Sequence, residues 1–199
     1  MKEEGVRDKR VVVFFGLVAS GKSFVAKAWA HKHQFPYYNT DVVRKGLAGI
    51  RATDARPEAR DEGIYSKAFS RLTYDALVDL ALHDLADPAV SWVVLDGSYH
   101  ARAERDRVRA RFDGLARVVF ILCSCGEDVT KTRLAKRAAD PAAVSDGRWE
   151  IYLQQKENFE EPEELPSWQL NRLDTNKEVD SLLTFLDCLL LQGRNGREI

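Results

Sequence analysis

Short apolar runs alternate along the chain with longer segments in which apolar residues recur every three or four positions. The runs are rich in β-branched and aromatic residues and are bounded by turn residues, which is typical of buried strands. They predict strands at residues 11–15, 92–95, 117–123 and 168–173, and a short strand at 35–38 that Pro36 interrupts.

The intervening segments have the period of helices. Between Ile64 and Leu85, for instance, the apolar positions keep helical spacing, and Pro88 marks the end. Helices are predicted at residues 21–33, 40–47, 64–85, 102–112, 127–138, 147–159 and 179–191, with polar breaks at 51–62 and 140–146. Thr40 and Asp41 are expected to cap the second of these helices.

Alternating strands and helices predict an α/β fold, because helices supply the crossovers between parallel strands and cover both faces of the sheet. We expect a three-layer sandwich around a five-stranded, mostly parallel sheet. The length of 199 residues fits one domain, residues 1–199, with a substantial core.

Composition narrows the class of protein. Hydrophobic residues make up 45% and charged residues 31% of the chain, as in ordinary globular proteins. No apolar run approaches the roughly 20 residues that cross a bilayer, and the charged N-terminus lacks the features of a signal peptide. We therefore expect a cytoplasmic protein with no membrane partner and with its three cysteines reduced. The net charge of -1 predicts no strong overall attraction to nucleic acid, although a local basic groove stays open.

One segment carries a specific chemical motif. Gly16-Leu-Val-Ala-Ser-Gly-Lys-Ser23 matches G-x-x-x-x-G-K-[ST] and lies between a predicted buried strand and a predicted helix, where this phosphate-binding loop occurs. Its backbone is expected to bind the phosphates of ATP, with GTP left open, and Lys22 to reach the β- and γ-phosphates. The nucleotide-binding residues are predicted to be Gly16, Ala19, Ser20, Gly21, Lys22, Ser23 and Phe24.

A magnesium ion is expected beside this loop. The Ser23 hydroxyl is one predicted ligand, and Asp96, at the end of the apolar run Trp92-Val-Val-Leu95, is the other. Asp96 also fits a second interpretation, in which it caps the Gly97-Ser98 turn.

Asp41 and Arg44 lie three residues apart in the next predicted helix and so share one face. A hydroxyl kinase needs a carboxylate to accept or orient the acceptor proton, and a cation near the acceptor or the transferred phosphoryl group. The pair fits both needs, and the alternative interpretation of Asp41 is a helix N-cap.

Five segments together resemble one family: the phosphate-binding loop, Asp41-x-x-Arg44, Gly63-Ile-Tyr-Ser66, Val93-Val-Leu-Asp96 and Arg133-Leu-x-x-Arg137. They resemble the P-loop kinases labelled as AAA-domain proteins, relatives of the polynucleotide 5′-kinase domain, the zeta toxins, chloramphenicol phosphotransferase and gluconate kinase. The resemblance covers about residues 11–175. It implies a P-loop NTPase fold of the nucleoside monophosphate kinase type, with a helical lid at residues 127–159.

The resemblance also implies roles for individual residues. Asp41 would be the general base and Arg44 would hold an acceptor phosphate, or Arg44 is a solvated helix residue. Thr175 lies where relatives contact adenine, or it belongs to the start of the last helix. Arg133 and Arg137 would be the lid arginines that reach the developing charge, or they form a solvated basic face. The segment Gly97-Ser-Tyr-His100 departs from the family pattern, so Tyr99 either stacks on the acceptor or packs in the core. Five arginines between 102 and 111 either line an acidic acceptor or form a solvated face: Arg102, Arg105, Arg107, Arg109 and Arg111.

The function that these observations favour is transfer of the γ-phosphate of ATP, with Mg²⁺, to a hydroxyl group. The acceptor is either a small metabolite or the 5′-end of a nucleic acid, and no obligatory protein partner is evident. The alternative is a P-loop ATPase or nucleotide-dependent switch that acts on a protein partner. A third interpretation is an ATP-binding module without catalysis.

Overall fold

The computed structural model describes residues 9–53, 63–140 and 148–191. Its sheet has five strands in the order β2-β3-β1-β4-β5, and every neighbouring pair is parallel. In the central register, Val12 of β1 lies opposite Val94 of β3 and Val119 of β4. The strands are β1 (Arg10–Phe15), β2 (Tyr37–Asn39), β3 (Trp92–Asp96), β4 (Arg117–Ser124) and β5 (Leu170–Asp174).

Helices cover both faces of this sheet. They are α1 (Lys22–His33), α2 (Thr40–Leu47), α3 (Lys67–Ala86), α4 (Arg102–Phe112), α5 (Glu127–Ala138), α6 (Trp149–Glu157) and α7 (Val179–Leu190). A 3₁₀ turn, Gly63–Tyr65, precedes α3. The prediction of a three-layer α/β sandwich is confirmed.

The sheet has a core on each face, because side chains of a strand point alternately to opposite faces. Val11, Val13 and Phe15 pack in the core that includes α3 and α4, whereas Val12 and Phe14 pack in the core that includes α1 and α7. These five of the six side chains of β1 are fully buried, which is worth roughly 1.5–3 kcal/mol for each. The central strand therefore ends in a rigid part of the molecule.

Helix α2 begins differently from the prediction. The Asn39 side chain caps it, because Asn39 Oδ1 accepts hydrogen bonds from the backbone N–H groups of Asp41 (3.0 Å) and Val42 (3.1 Å). Thr40 and Asp41 already lie within the helix, so the prediction that they cap it is wrong, as is the interpretation of Asp41 as an N-cap. Asp41 is left with its carboxylate on the first turn.

The interpretation of the α4 arginines as a solvated face is wrong for one of them. Arg105 is completely buried, and its guanidinium forms an ion pair with Glu164 over distances of 2.6 and 3.2 Å. It also donates to the backbone oxygens of Tyr99 (2.9 Å) and His100 (3.2 Å). Arg105 thus fixes the segment that follows β3, and a buried charge is tolerated because each of its partners accepts a hydrogen bond.

Smaller differences concern bounds. Helix α3 begins at Lys67, with Ser66 as its cap, and not at Ile64. The predicted breaks at 51–62 and 140–146 fall mostly outside the described residues. Cys123, Cys125 and Cys188 are free. Within 9–53, 63–140 and 148–191, no helix combines the length and the apolarity needed to cross a membrane.

Candidate active site

The loop between β1 and α1 depends on two glycines. Gly16 has φ 138° and Gly21 has φ 85°, backbone conformations that favour glycine. A Cβ on Gly16 would lie 2.3 Å from the Cys123 carbonyl oxygen, and one on Gly21 would lie 2.7 Å from Thr175 Oγ1. Any other residue at either position would displace the loop from the end of the sheet.

The N-terminus of α1 is open to an anion. Its N-cap is Gly21, with no side-chain cap and no acidic residue in the first turn, so the first amide groups of the helix lack side-chain acceptors. Partial positive charge collects at such an end, and phosphate groups bind there. Lys22 lies beside it, and its Nζ donates to the Leu17 carbonyl oxygen at 3.2 Å.

A cleft of about 600 Å³ extends from this loop to α2 and α5. Among the described residues that line it, six side chains are cationic and one, that of Asp41, is acidic. The cationic residues are Lys22, Lys27, Arg133, Lys136, Arg137 and Lys177. This charge distribution suits a polyphosphate, because several cations converge on one concave surface.

The structure separates the predicted site residues into two groups. The cleft brings together Ala19, Gly21, Lys22, Ser23, Phe24, Asp41, Arg133, Arg137 and Thr175. Outside its lining are Gly16, Ser20, Arg44, Asp96 and Tyr99.

Asp96 is fully buried at the carboxyl end of β3. Its Oδ2 accepts hydrogen bonds from the Tyr37 hydroxyl (2.7 Å) and from Asn39 Nδ2 (2.5 Å), so these bonds connect it to β2. No described residue donates to Oδ1, which is also buried. Burial, followed by the negative Asp96, raises the pKa of Tyr37 well above its ordinary value, so Tyr37 stays a donor.

This arrangement fits a magnesium ion. Asp96 Oδ1 has no donor among the described residues, so its lone pairs are available to a water molecule of a hydrated cation, and Mg²⁺ usually keeps several of its waters. Ser23 supplies the hydroxyl oxygen from the cleft. Ser23 and Asp96 are thus compatible with the predicted site.

Asn39 and Tyr37 were missed as site residues. Asn39 alone connects the cap of α2, and hence Asp41, to the Asp96 carboxylate. The available signal was their position at the end of the strand before Asp41, since the carboxyl ends of parallel strands form the usual ligand crevice.

Arg133 lies against the phosphate-binding loop. Its guanidinium donates to Thr175 Oγ1 (2.9 Å), to the Thr175 carbonyl oxygen (2.8 Å) and to the Ala19 carbonyl oxygen (3.3 Å). Thr175 Oγ1 in turn donates to the Ser20 carbonyl oxygen at 2.6 Å, within reach also of the Ser124 carbonyl oxygen. Thr175 therefore joins the loop, the ends of β4 and β5, and α5.

Arg44 and Tyr99 are buried beside the cleft. Arg44 Nη1 donates to the Ile64 carbonyl oxygen (2.7 Å) and to Ser70 Oγ (3.0 Å), and its guanidinium lies 5.1 Å from the centre of the Tyr65 ring. Tyr99 is fully buried, with φ 39°, and packs on Tyr74. Both residues face the interior between α2, α3 and the end of β3.

Comparison with known families supports this description. The family model described as an AAA domain matches residues 11–162. The chain belongs to this family. The match includes the phosphate-binding loop, Asp41, Asp96 and α5 of this AAA-domain protein.

Solved structures share the fold of this AAA-domain protein. A gluconokinase from Sinorhizobium meliloti is 20% identical, with a TM-score of 0.62 and coverage of 94% of each chain. An APS kinase from Mycobacterium tuberculosis, in complex with AMPPNP and APS, is 21% identical, with a TM-score of 0.64 and coverage of 93% of this chain and 99% of that one.

Chaetomium thermophilum Kti12, in complex with ADP-AlF3, is 16% identical, with a TM-score of 0.60 and coverage of 88% of this chain and 96% of that one. These likenesses show a P-loop kinase fold. No curated protein matches the sequence significantly.

Proposed function

We propose that this AAA-domain protein is a kinase that transfers the γ-phosphate of ATP to a hydroxyl group, with Mg²⁺ held by Ser23 and Asp96. The observation that carries the proposal is the composition of the cleft. Among the described residues of the cleft lining, six side chains are cationic and one, that of Asp41 on the first turn of α2, is acidic, and the cleft includes the open N-terminus of α1. A carboxylate at that position suits the proton acceptor that a hydroxyl acceptor needs.

The reaction requires one bond to form and one to break. The acceptor oxygen bonds to the γ-phosphorus while the bond from that phosphorus to the β,γ-bridging oxygen breaks, which leaves ADP. The acceptor proton passes to the Asp41 carboxylate and later to solvent. A positioned carboxylate contributes typically about 10²–10⁴-fold to such a proton transfer.

The other residues act through position and charge. The amides of α1 and Lys22 bind the phosphates, and the Mg²⁺ would neutralise charge on the β- and γ-phosphates. Arg137 lines the cleft and has no side-chain hydrogen bond or ion pair with another described residue, so it is the lid arginine that reaches the transferred group. We retain residues 127–159 as the proposed lid of a single domain.

The test measures transfer of the terminal phosphate from γ-labelled ATP and Mg²⁺ to a panel of hydroxyl compounds. Asp41→Asn is expected to lower transfer by about 10²-fold or more while leaving ATP affinity within a few-fold. Asp180→Asn is the matched control, since Asp180 also lies in the first turn of a helix but is exposed on α7. The control should transfer phosphate at the unsubstituted rate.

Three outcomes would contradict the proposal. Label released only as free phosphate, at an equal rate in Asp41→Asn, would indicate an ATPase or switch. If a protein partner stimulated that release, the switch would be favoured. ATP binding with neither transfer nor release would indicate a binding module.

A further inference from the structure

A polar cluster lies beside the phosphate-binding loop and outside the cleft. The Ser98 carbonyl oxygen accepts a hydrogen bond from the Gly16 backbone N–H at 3.3 Å, so the segment that follows β3 contacts the first residue of the loop. Ser98 Oγ is bonded to the Tyr74 hydroxyl (2.9 Å) and to His100 Nδ1 (3.3 Å). The cluster thus adjoins the start of the phosphate-binding loop.

The carboxyl group of Glu104 lies at this cluster, and one of its two oxygens lacks a hydrogen-bond donor in the part of the chain that the structure describes. Its charge acts on the hydroxyls of both Tyr74 and Tyr99, which places it on the interior side of α4. The Ala101 backbone supplies a hydrogen bond to the Glu104 carboxyl group, as in a helix cap. Its Oε2, however, is buried and has no donor among the described residues. A buried acceptor without a hydrogen bond costs roughly 1–3 kcal/mol. The role of Glu104 as a helix cap accounts for the oxygen that is bonded to Ala101, but it does not account for the burial of Oε2.

Within the described ranges, Arg44 has a buried hydrogen-bond donor without a partner, as Glu104 has a buried acceptor without one. It is only 6% exposed, and its Nε is buried with no acceptor among the described residues. Its charge acts on Glu104 and on Tyr74, so it faces the same cluster from α2. One donor and one acceptor, on helices from two sides, therefore lack partners beside the loop.

The same observations disfavour a phosphate at this position. Arg44 Nη1 already donates to Ile64 and Ser70, which leaves less of the guanidinium for a phosphate. The neighbouring Glu104 would repel a phosphate whenever its carboxyl group is ionised. A hydroxyl or amino group, in contrast, donates to Glu104 Oε2, and a hydroxyl also accepts from Arg44 Nε.

We propose that Arg44, Ser98, His100 and Glu104 recognise the phosphoryl acceptor, and that this acceptor is a small, non-anionic compound with a hydrogen-bond donor beside the reacting hydroxyl. This inference rests on the proposed kinase function, and it selects the small metabolite over the nucleic-acid 5′-end. Glu104 accepts a hydrogen bond from the second donor group of the substrate that is phosphorylated. Asp41, one helical turn before Arg44, faces the reacting hydroxyl of that substrate.

The test compares acceptors of matched hydroxyl chemistry and different charge with γ-labelled ATP. The non-anionic probes are glycerol, glucose and ethanolamine, and the anionic probes are gluconate and a 5′-hydroxyl DNA oligomer. Label on any of the non-anionic probes, with at least tenfold lower kcat/KM for the anionic ones, is the expected result. Preferential labelling of gluconate or of the oligomer would overturn the inference while leaving the kinase function intact. Absence of label on every probe, despite ATP binding, would contradict the kinase function itself.

Glu104→Gln tests the residue directly. It keeps the shape of the side chain but replaces one acceptor oxygen with a donor group. We expect at least a tenfold rise in KM for the best acceptor, with KM for ATP changed less than twofold. Glu163→Gln, at an exposed position, is the matched control and should change neither value. An unchanged acceptor KM in Glu104→Gln would overturn the assignment of Glu104.

Discussion

Glu104→Gln should also stabilise the protein, and to an extent that depends on pH. Burial raises the pKa of Glu104 from its ordinary value of 4.5 to about 7, although the Ala101 backbone and the nearby arginines act in the opposite direction. Below pH 4.5 the carboxyl group is protonated in both the folded and the unfolded chain. As the pH rises from 4.5 to 7, the unfolded chain loses this proton first, so the folded state becomes less stable.

The magnitude follows from the two pKa values. Their separation, from 4.5 to about 7, corresponds to roughly 3 kcal/mol at about 1.4 kcal/mol per pKa unit. The glutamine variant has no charge to bury. It should exceed the unsubstituted protein in free energy of unfolding by about 3 kcal/mol at pH 8 and by less than about 1 kcal/mol at pH 5.

The assay is urea denaturation of both proteins at pH 5 and pH 8. The charged groups that face Glu104 are Arg105 and Arg107 from its own helix and Arg44 from α2, while Tyr74 and Tyr99 stay protonated because burial raises their pKa values. These groups and His100 are the same in both proteins, so a difference in stability that changes with pH reports on Glu104. A difference that is equal at the two pH values, or a variant that is less stable at pH 8, would refute this reasoning.

Three further predictions concern the cleft. Gly21→Ala should abolish measurable nucleotide binding in calorimetry and lower the unfolding temperature, because its Cβ would lie 2.7 Å from Thr175 Oγ1; unchanged binding would contradict the loop geometry. Thr175→Val should lower the free energy of unfolding in urea by about 2–3 kcal/mol, because it leaves buried groups without a hydrogen bond. Thr184→Val, at an exposed position of α7, is the control and should lower it by less than about 0.5 kcal/mol. Asn39→Ala should lower the free energy of unfolding by about 1 kcal/mol, because the cap of α2 is lost. It should also lower the apparent Mg²⁺ affinity measured in phosphoryl transfer, because Asp96 loses a hydrogen bond that holds it. A loss of stability with unchanged Mg²⁺ affinity would restrict the role of Asn39 to capping.

Features that depend on neighbouring residues were predictable from the sequence. The strand and helix periods come from local patterns, so the fold class was correct and α4 and α5 have the predicted bounds. The phosphate-binding loop is contiguous, and its glycines report directly on backbone conformation. Asp41 needed only the start of the next helix to be placed in the cleft.

Contacts between distant segments were not predictable. Asn39 and Asp96 are 57 residues apart, and Arg105 and Glu164 are 59 apart, so no periodicity connects them. Arg105 is one of several arginines on α4, and only the packing of that helix decides which of them turns inward. The same limit applies to Arg44, whose direction depends on where α3 and the 3₁₀ turn lie.

The anchoring of Arg133 limits how far the predicted lid can move Arg137. The two residues are four positions apart on α5, or about 6 Å along the helix axis. If the helix pivots where Arg133 is bound to Thr175 and Ala19, a rotation of about 30° shifts the Arg137 backbone by only about 3 Å. The side chain of Arg137, by changing rotamer, then covers more distance than its backbone does. If Arg137 acts on the nucleotide as proposed, we expect a side-chain rotation on the nanosecond timescale, after a small displacement of α5, to bring its charge there without a large domain rotation.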